Sequence, residues 1–380
     1  MSGPVPCVSQ PGGAFAELAE ELEALFGRGV RAPLDGGAFN DLALRVFAFQ
    51  FEANPVYRAF CLRRGAIPDT VARWEDVPAV PATAFKYVDL ACGNPSSAEA
   101  TYVTSGTTSG EERRGRHHVP RVALYRTAAL PNLRTHLVPE DRPLAVLSLI
   151  PSPAEAPHSS LSAMMGFVAE AWGDPVRWLG HPERGTDLDA LRRAVTGAAD
   201  AGRPALVAGT AFDFVHLLDA MARTGETLAL PEGSRIMETG GFKGRARAVG
   251  RDELYGALES HLGIPRSRMV NEYGMTELLS QLYEPVLGEG PGAAGRHVAP
   301  PWLKARALDP GSLAPLPEGE AGLLAFFDLA NAGSVCHILT QDMGTVSADG
   351  VRLQGRAEGA EPRGCSLAVE DLLAAGGGRT

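Results

Sequence analysis

Thr101-Tyr102-Val103-Thr104-Ser105-Gly106-Thr107-Thr108-Ser109-Gly110 is the stretch around which the chain is ordered: a short β-prone run feeding a loop of hydroxyls and glycines. Glycine lets the backbone turn sharply and approach a ligand, while Ser and Thr hydroxyls and free backbone N–H groups donate to phosphate oxygens. A strand entering such a loop is one way to build an anion cradle. It is not the Walker arrangement, because no Gly-Lys-Ser/Thr closes it and no G-x-x-x-x-G-K occurs in the chain. Taken alone, the stretch reads equally well as a flexible surface turn.

The flanking patterns point to the fold class. From residue 144 onward, apolar strand-like runs (144–150, 204–208, 235–237, 268–270) alternate with helix-like stretches near 160–172, 187–200, 211–223 and 250–262. This alternation predicts an α/β sheet with its crevice at the strand ends. Upstream, 14–26 and about 38–64 have helical spacing with a break at Pro55, and Val77 to Lys86 is extended and proline-punctuated. From about 320 the texture changes to short β-like runs, 323–327, 334–340 and 345–353, which predict a small antiparallel or barrel-like subdomain. The expected organisation is a helical portion of a large domain (1–100), an α/β nucleotide- and acyl-binding core (101–319), a β-rich subdomain (320–354), and a hinge with a truncated C-terminal remnant (355–380).

The chain has 380 residues, 45% hydrophobic and 21% charged, as in ordinary soluble globular proteins. A net charge of −10 argues against general affinity for nucleic acid or anionic membrane. Cys7, Cys61, Cys92, Cys336 and Cys365 are scattered, with no C-x-x-C and no metal-ligand spacing. An odd cysteine count without a basic-then-apolar leader or a membrane-length apolar run predicts a cytoplasmic protein with reduced thiols and no membrane insertion. Lysine occurs only at 86, 243 and 304.

Three further stretches suit nucleotide chemistry. In Asn271-Glu272-Tyr273-Gly274-Met275-Thr276-Glu277, a strand-like run leads to Thr276 ahead of a helix-like segment, 277–282, a pattern that favours an anion at a capped helix start. Tyr273 offers a flat face for a base and Glu277 a carboxylate for Mg²⁺; the same residues also describe a capped helix with no ligand. In Thr239-Gly240-Gly241-Phe242-Lys243-Gly244, adjacent glycines admit a base or ribose and Lys243 adds a cation. Asp342, in Thr340-Gln341-Asp342, can accept both ribose hydroxyls, and Arg356 can answer phosphate or ribose oxygens; an Asp between strands is also an ordinary turn residue. The charged run 111–116 and His117-His118 read as a solvated arm.

In this order, TSGTTSG (104–110), TGGFKG (239–244), NEYGMTE (271–277), TQDMG (340–344) and GRAEGAEPRGCS (355–366) resemble the core motifs of the adenylate-forming superfamily, over roughly residues 78–370. Those enzymes activate a carboxylic acid with ATP as an acyl-adenylate. Val80-Pro81-Ala82-Thr83-Ala84-Phe85-Lys86, Pro157-His158-Ser159-Ser160-Leu161-Ser162 and Arg363-Gly364-Cys365-Ser366 look most like the acyl-protein synthetases of the luminescence fatty-acid reductase system and the related phenylacetate-CoA ligase-like enzymes.

The resemblance implies ATP and Mg²⁺ as cofactors. It implies that Thr104, Ser105, Gly106, Thr107, Thr108 and Gly110 embrace the phosphates, and that Gly240, Gly241 and Tyr273 hold adenine. Thr276 would reach the α-phosphate, Glu277 bind Mg²⁺, Asp342 hold the ribose and Arg356 follow it at the hinge. His158 resembles a residue at the mouth of the acyl pocket, and Cys365 matches a cysteine that takes the acyl group as a thioester. Ser109 stands where the superfamily often has Gly. Most relatives carry a mobile C-terminal domain that delivers a lysine; here the 380 residues stop soon after the hinge-like Gly355-Arg356, so Lys86, Lys243 or Arg with Mg²⁺ would serve instead.

The expected function is ATP-dependent activation of a carboxylic acid, fatty by resemblance, and acyl transfer to Cys365. The acyl acceptor beyond it would be a partner reductase, a carrier protein or coenzyme A, an arrangement that admits a hetero-oligomer. Two alternatives stay open: a free-standing acyl- or aryl-CoA or carrier-protein ligase with Cys365 a spectator, and a catalytically weak nucleotide-binding subunit. Ala163, Gly166, Met164 and Met165 suit either an apolar tunnel or an ordinary buried helix.

Overall fold

The computed structural model describes residues 12–104, 113–140, 142–172, 175–240, 250–357, 368–370 and 372–373. Three helices open it: α1 (Gly12–Gly27), α2 (Gly36–Ala53) and α3 (Pro55–Arg63). The break between α2 and α3 is local chemistry. The Asn54 side chain accepts the Tyr57 N–H at 3.0 Å, and Pro55 takes the first helical position, where its missing N–H costs nothing. β1 (Val80–Pro81) follows, and Ala82–Lys86 winds into a 3₁₀ turn, so the segment expected to be extended through Lys86 is extended only as far as Pro81.

β2 (Ala100–Val103) and β3 (Arg116–Val119) pair antiparallel, with Tyr102 opposite His117. Here the structure corrects an expectation. His117 and His118 are buried rather than on a solvated arm. His117 packs on one side of β3 against Phe85, while His118 meets Thr101 Oγ1 and Asp89 Oδ1, each at 3.0 Å. A second element escaped the sequence patterning: residues 122–137 form α4 (Val122–Leu137) despite Pro131 in its middle.

The alternating region then forms β4 (Ala145–Ser148), α5 (Ser160–Ala171), β5 (Arg177–Trp178), β6 (Gly180–His181), β7 (Gly185–Thr186), α6 (Leu188–Asp200), β8 (Ala205–Thr210), α7 (Ala211–Thr224), β9 (Arg235–Thr239), α8 (Arg251–Leu262) and β10 (Met269–Tyr273). With β11 (Leu282–Tyr283) these give a six-stranded sheet in the order β11-β10-β9-β8-β4-β5, parallel except for β11. Both faces are covered, which is why its strands read as continuous apolar runs. Val146, Leu206, Ala208, Met237 and Val270 face a core shared with α1–α5, while Leu147, Ala205, Val207, Ile236 and Met269 face α6–α8. Met164 and Met165 of α5 lie in the first of these cores, and a Cβ on Gly166 would sit 2.7 Å from the Pro153 ring.

The chain continues through α9 (Val286–Glu289) to β12 (Leu303–Leu308), β13 (Ala321–Asp328), β14 (His337–Ser347) and β15 (Gly350–Arg356). These build a five-stranded sheet ordered β1-β14-β13-β12, with β15 on β14. β14 runs unbroken through residues 341–344, which the sequence left between the runs 334–340 and 345–353. No described helix is long and apolar enough to cross a membrane.

Candidate functional site

In the six-stranded sheet the strand order reverses beside β4, which has β5 on one side and β8 on the other. Crevices of α/β sheets lie outside the carboxyl ends of strands near such a reversal. The carboxyl end of β4 leads to His158, that of β9 to Gly240 and that of β10 to Thr276. An open cleft of about 410 Å³ lined by Arg142, Pro143, Gly202, Arg203 and Pro204 lies at the opposite edge, where β4 and β8 begin.

Tyr273 ends β10 and bridges the two sheets. Its ring is tilted against Phe326 of β13, centroids 5.6 Å apart, and its hydroxyl donates to Asp342 Oδ2 of β14 at 2.8 Å. Burial, with Asp342 alongside, holds the phenol well above its ordinary value, so it remains a donor at neutral pH. Register places Asp342 opposite Arg356, whose Nε lies 3.5 Å from Asp342 Oδ1. Of these two side chains, Asp342 is 24% exposed and Arg356 52%. The result is a partly open carboxylate, oriented from one side and facing a cation on the other. This chemistry suits a ribose flanked by phosphate.

Beyond Tyr273 the structure corrects the expected helix. Residues 277–281 form turns, not a helix, so Thr276 caps nothing. The backbone is held by distant side chains. His117 Nδ1 lies 2.8 Å from the Thr276 carbonyl and Asn331 Nδ2 donates to the Glu277 carbonyl at 2.7 Å. Asp328 Oδ2 accepts the Leu279 and Ser280 N–H groups at 3.0 and 2.8 Å. These bonds satisfy groups a helix would have paired internally, so propensity is overruled. A Cβ on Gly274 would press on the Glu272 carboxylate, which would have to shift. Glu277 is buried, close enough for its charge to help raise Tyr273.

The hairpin β2–β3 presents the base of the expected phosphate loop. The Thr104 N–H donates to the Gly115 carbonyl and the Gly115 N–H to Thr104 Oγ1, both at 2.9 Å, closing the loop's neck. Ser105, Gly106, Thr107, Thr108 and Gly110 lie outside the described residues, as do Gly241, Lys243 and Cys365. Lys86 is half-buried and follows Phe85, which packs edge-on to His117 at 5.4 Å and against Gly115. That puts Lys86 at the neck. His158 is exposed; its carbonyl accepts the Val103 N–H at 2.8 Å and its Nδ1 donates to the Thr101 carbonyl at 3.0 Å. Gly240 is exposed with φ of +80°, a conformation that favours glycine. Three residues after Cys365, Ala368 is buried, and Leu372 joins the main core.

Several residues of the site were not singled out in the sequence. Thr239 donates its hydroxyl to Glu272, and Asn271 donates to Glu238 Oε2 at 2.6 Å. Burial pushes both carboxyls up to about 7. Asn271 Oδ1 in turn meets His297 Nε2 at 2.7 Å, and burial takes that imidazole down to about 4. Glu272 stands inside the NEYGMTE stretch, so its position was readable although its burial was not. His117, Asp328 and Asn331 left no local signal.

Among the described residues no three His, Cys, Asp or Glu side chains group to hold a metal. Glu277 beside Thr276 is a single carboxylate, a donor set that fits Mg²⁺ shared with nucleotide phosphates. The nucleotide itself fits the half-open Asp342 and Arg356 pair.

Residues 36–374 match the model of the acyl-protein synthetase family LuxE. The chain is 24% identical over 341 residues to the long-chain-fatty-acid–luciferin-component ligase of Vibrio harveyi, covering 87% of this chain and 86% of that one. It is 23% identical over 351 residues to the protein of the same description from Aliivibrio fischeri, covering 87% and 88%. Its fold is similar to that of a 2-hydroxyisobutyryl-CoA ligase solved in the postadenylation state with 2-HIB-AMP, with TM-score 0.63 and 16% identity over 85% of this chain and 68% of that one. The fold, the converging motif residues and a family match across most of the sequence agree: this chain belongs to the LuxE acyl-protein synthetase family.

Proposed function

We propose that this acid–thiol ligase activates a long-chain fatty acid with ATP and Mg²⁺ as the acyl-adenylate, then takes the acyl group onto its own Cys365 for hand-over to a partner reductase. The single observation that supports this most is the family match, which runs through Cys365 to residue 374. The descriptions of the two Vibrio-type relatives suggest the acid.

In the first half-reaction a carboxylate oxygen attacks the α-phosphorus and pyrophosphate leaves. The nucleophile is already ionised, so the protein's part is positioning and charge neutralisation. Asp342, held by Tyr273, fixes the ribose; Arg356, Lys86 and the 104–110 loop answer the phosphates; Thr276 reaches the α-phosphate; Glu277 would hold Mg²⁺. The ion supplies neutralisation of phosphate charge. In the second half-reaction the Cys365 thiolate attacks the acyl carbonyl, a C–S bond forms and AMP departs. Cys61, Cys92 and Cys336 are unsuited to this step: all three are buried, and burial raises each thiol, Cys61 to about 12.

Intact-protein mass spectrometry after incubation with ATP, Mg²⁺ and a panel of fatty and aryl acids tests the proposal. A hydroxylamine-labile acyl adduct that disappears in Cys365→Ala is the expected outcome. AMP formation without any adduct would reject self-acylation and select an external thiol such as coenzyme A.

A further inference from the structure

We infer that His117 is a positioning residue for adenylation: it locks the Thr276 backbone to the Thr104–Gly115 neck of the β2–β3 hairpin, so that Thr276 keeps its place against the base of the phosphate loop. The inference rests on the proposed role of Thr276. Three contacts converge on this buried imidazole. Its Nδ1 lies 2.8 Å from the Thr276 carbonyl, its Nε2 lies 2.7 Å from Ser334 Oγ, and the Phe85 ring stands edge-on to it at 5.4 Å. Its own strand, β3, returns from that loop, with Gly115 closing the neck on Thr104 only two residues before it. One side chain thus ties together the phosphate hairpin, the turn after β10, the 331–334 segment and the turn carrying Lys86.

The chemistry fixes a tautomer. A carbonyl only accepts, so the proton sits on Nδ1 and points at Thr276, leaving Nε2 to accept from the Ser334 hydroxyl. Burial lowers this imidazole to about 4, which keeps it neutral across the physiological range. It neither donates nor removes a proton in the reaction. Its contribution is geometric, and displacement of a reacting group by about 1 Å can cost about a hundredfold in rate.

Two substitutions separate positioning from packing. In His117→Asn the side-chain amide overlays the Nδ1 edge and keeps the donor to Thr276; in His117→Gln it overlays Nε2 and keeps the Ser334 contact instead. Each loses one hydrogen bond, so both should lower the unfolding midpoint similarly. ATP–pyrophosphate exchange, normalised to folded fraction, should keep kcat within about threefold in His117→Asn and lose about tenfold or more in His117→Gln, with the KM for ATP moved less than about twofold in both. Ser334→Ala should resemble His117→Asn. Equal turnover in the Asn and Gln variants, or a Ser334→Ala loss as deep as that of His117→Gln, would overturn the inference.

A Thr276→Ala variant separates the two layers of the reading. If it exchanges pyrophosphate normally, the role of Thr276 fails and the inference fails with it; if it loses exchange while the two His117 variants match, the inference alone fails. A measurement on the unsubstituted protein needs no variant to fold: ¹⁵N imidazole spectra should show His117 as the neutral Nδ1–H tautomer from pH 5 to 8. An Nε2–H tautomer or a titrating ring would refute the bond to Thr276.

Discussion

Two aspartates on neighbouring strands of the five-stranded sheet show how the same side chain becomes architecture in one place and stays partly open in another. Asp328, at the end of β13, is fully buried and accepts from four donors: the N–H groups of Leu279, Ser280 and Ala330 and the Ser280 hydroxyl. Asp342, in β14, is partly open and receives the Tyr273 hydroxyl and the half-exposed Arg356. A carboxylate has about four lone-pair sites. Those of Asp328 are spent on shaping the 276–280 turn, whereas Asp342 keeps capacity for an incoming ligand. Burial and donor count, rather than residue type, separate the two.

The sharpest way to break the comparison is to remove each carboxylate. Asp328→Ala strands buried backbone donors and should cost about 3–5 kcal/mol of stability, read from urea unfolding; a loss under about 1 kcal/mol would mean the turn does not depend on it. Asp342→Ala should behave in the opposite way. Its stability should stay within about 1 kcal/mol of the parent, while kcat/KM for ATP in pyrophosphate exchange falls roughly 10–100-fold, the worth of a charge-assisted hydrogen bond. Unchanged exchange in Asp342→Ala would leave the ribose assignment without support.

Glu272 sharpens the comparison with a smaller effect. Like Asp328 it is buried, and burial raises both carboxyls, Asp328 to about 6 and Glu272, which the Thr239 hydroxyl reaches, from 4.5 to about 7. Folded protein therefore holds a proton that unfolded chain has released between those pH values. The associated stability is fully present below 4.5 and is lost as pH rises through 7. Glu272→Gln keeps an acceptor for Thr239 but carries no titrating group. Relative to the parent, this variant should gain about 2 kcal/mol between pH 5.5 and pH 8 in unfolding measurements. A difference that does not change with pH would show that Glu272 ionises normally.

Legibility in the sequence followed the range of the interactions. The helices expected at 160–172, 187–200, 211–223 and 250–262 appear at Ser160–Ala171, Leu188–Asp200, Ala211–Thr224 and Arg251–Leu262. Their signals are local: apolar periodicity and caps such as Asp187, Thr210 and Ser159. α4 was obscured because its buried face includes Asn132 and its middle holds Pro131. The His117-His118 pair looked solvated because a charged run precedes it, yet the groups that receive His117 belong to Thr276 and Ser334.

By itself, then, the sequence determined the α/β alternation and the order of the motif segments. Those follow from periodicity, capping and composition within a few residues of chain. Only the tertiary structure decided that 277–281 would turn instead of coil into a helix. It alone joined Tyr273 of one sheet to Asp342 of the other, and gave Thr276 a partner 159 residues away. The physical reason is that a backbone group in a turn must find its hydrogen bond somewhere. When the partner is a distant buried side chain, nothing in the neighbouring sequence records it.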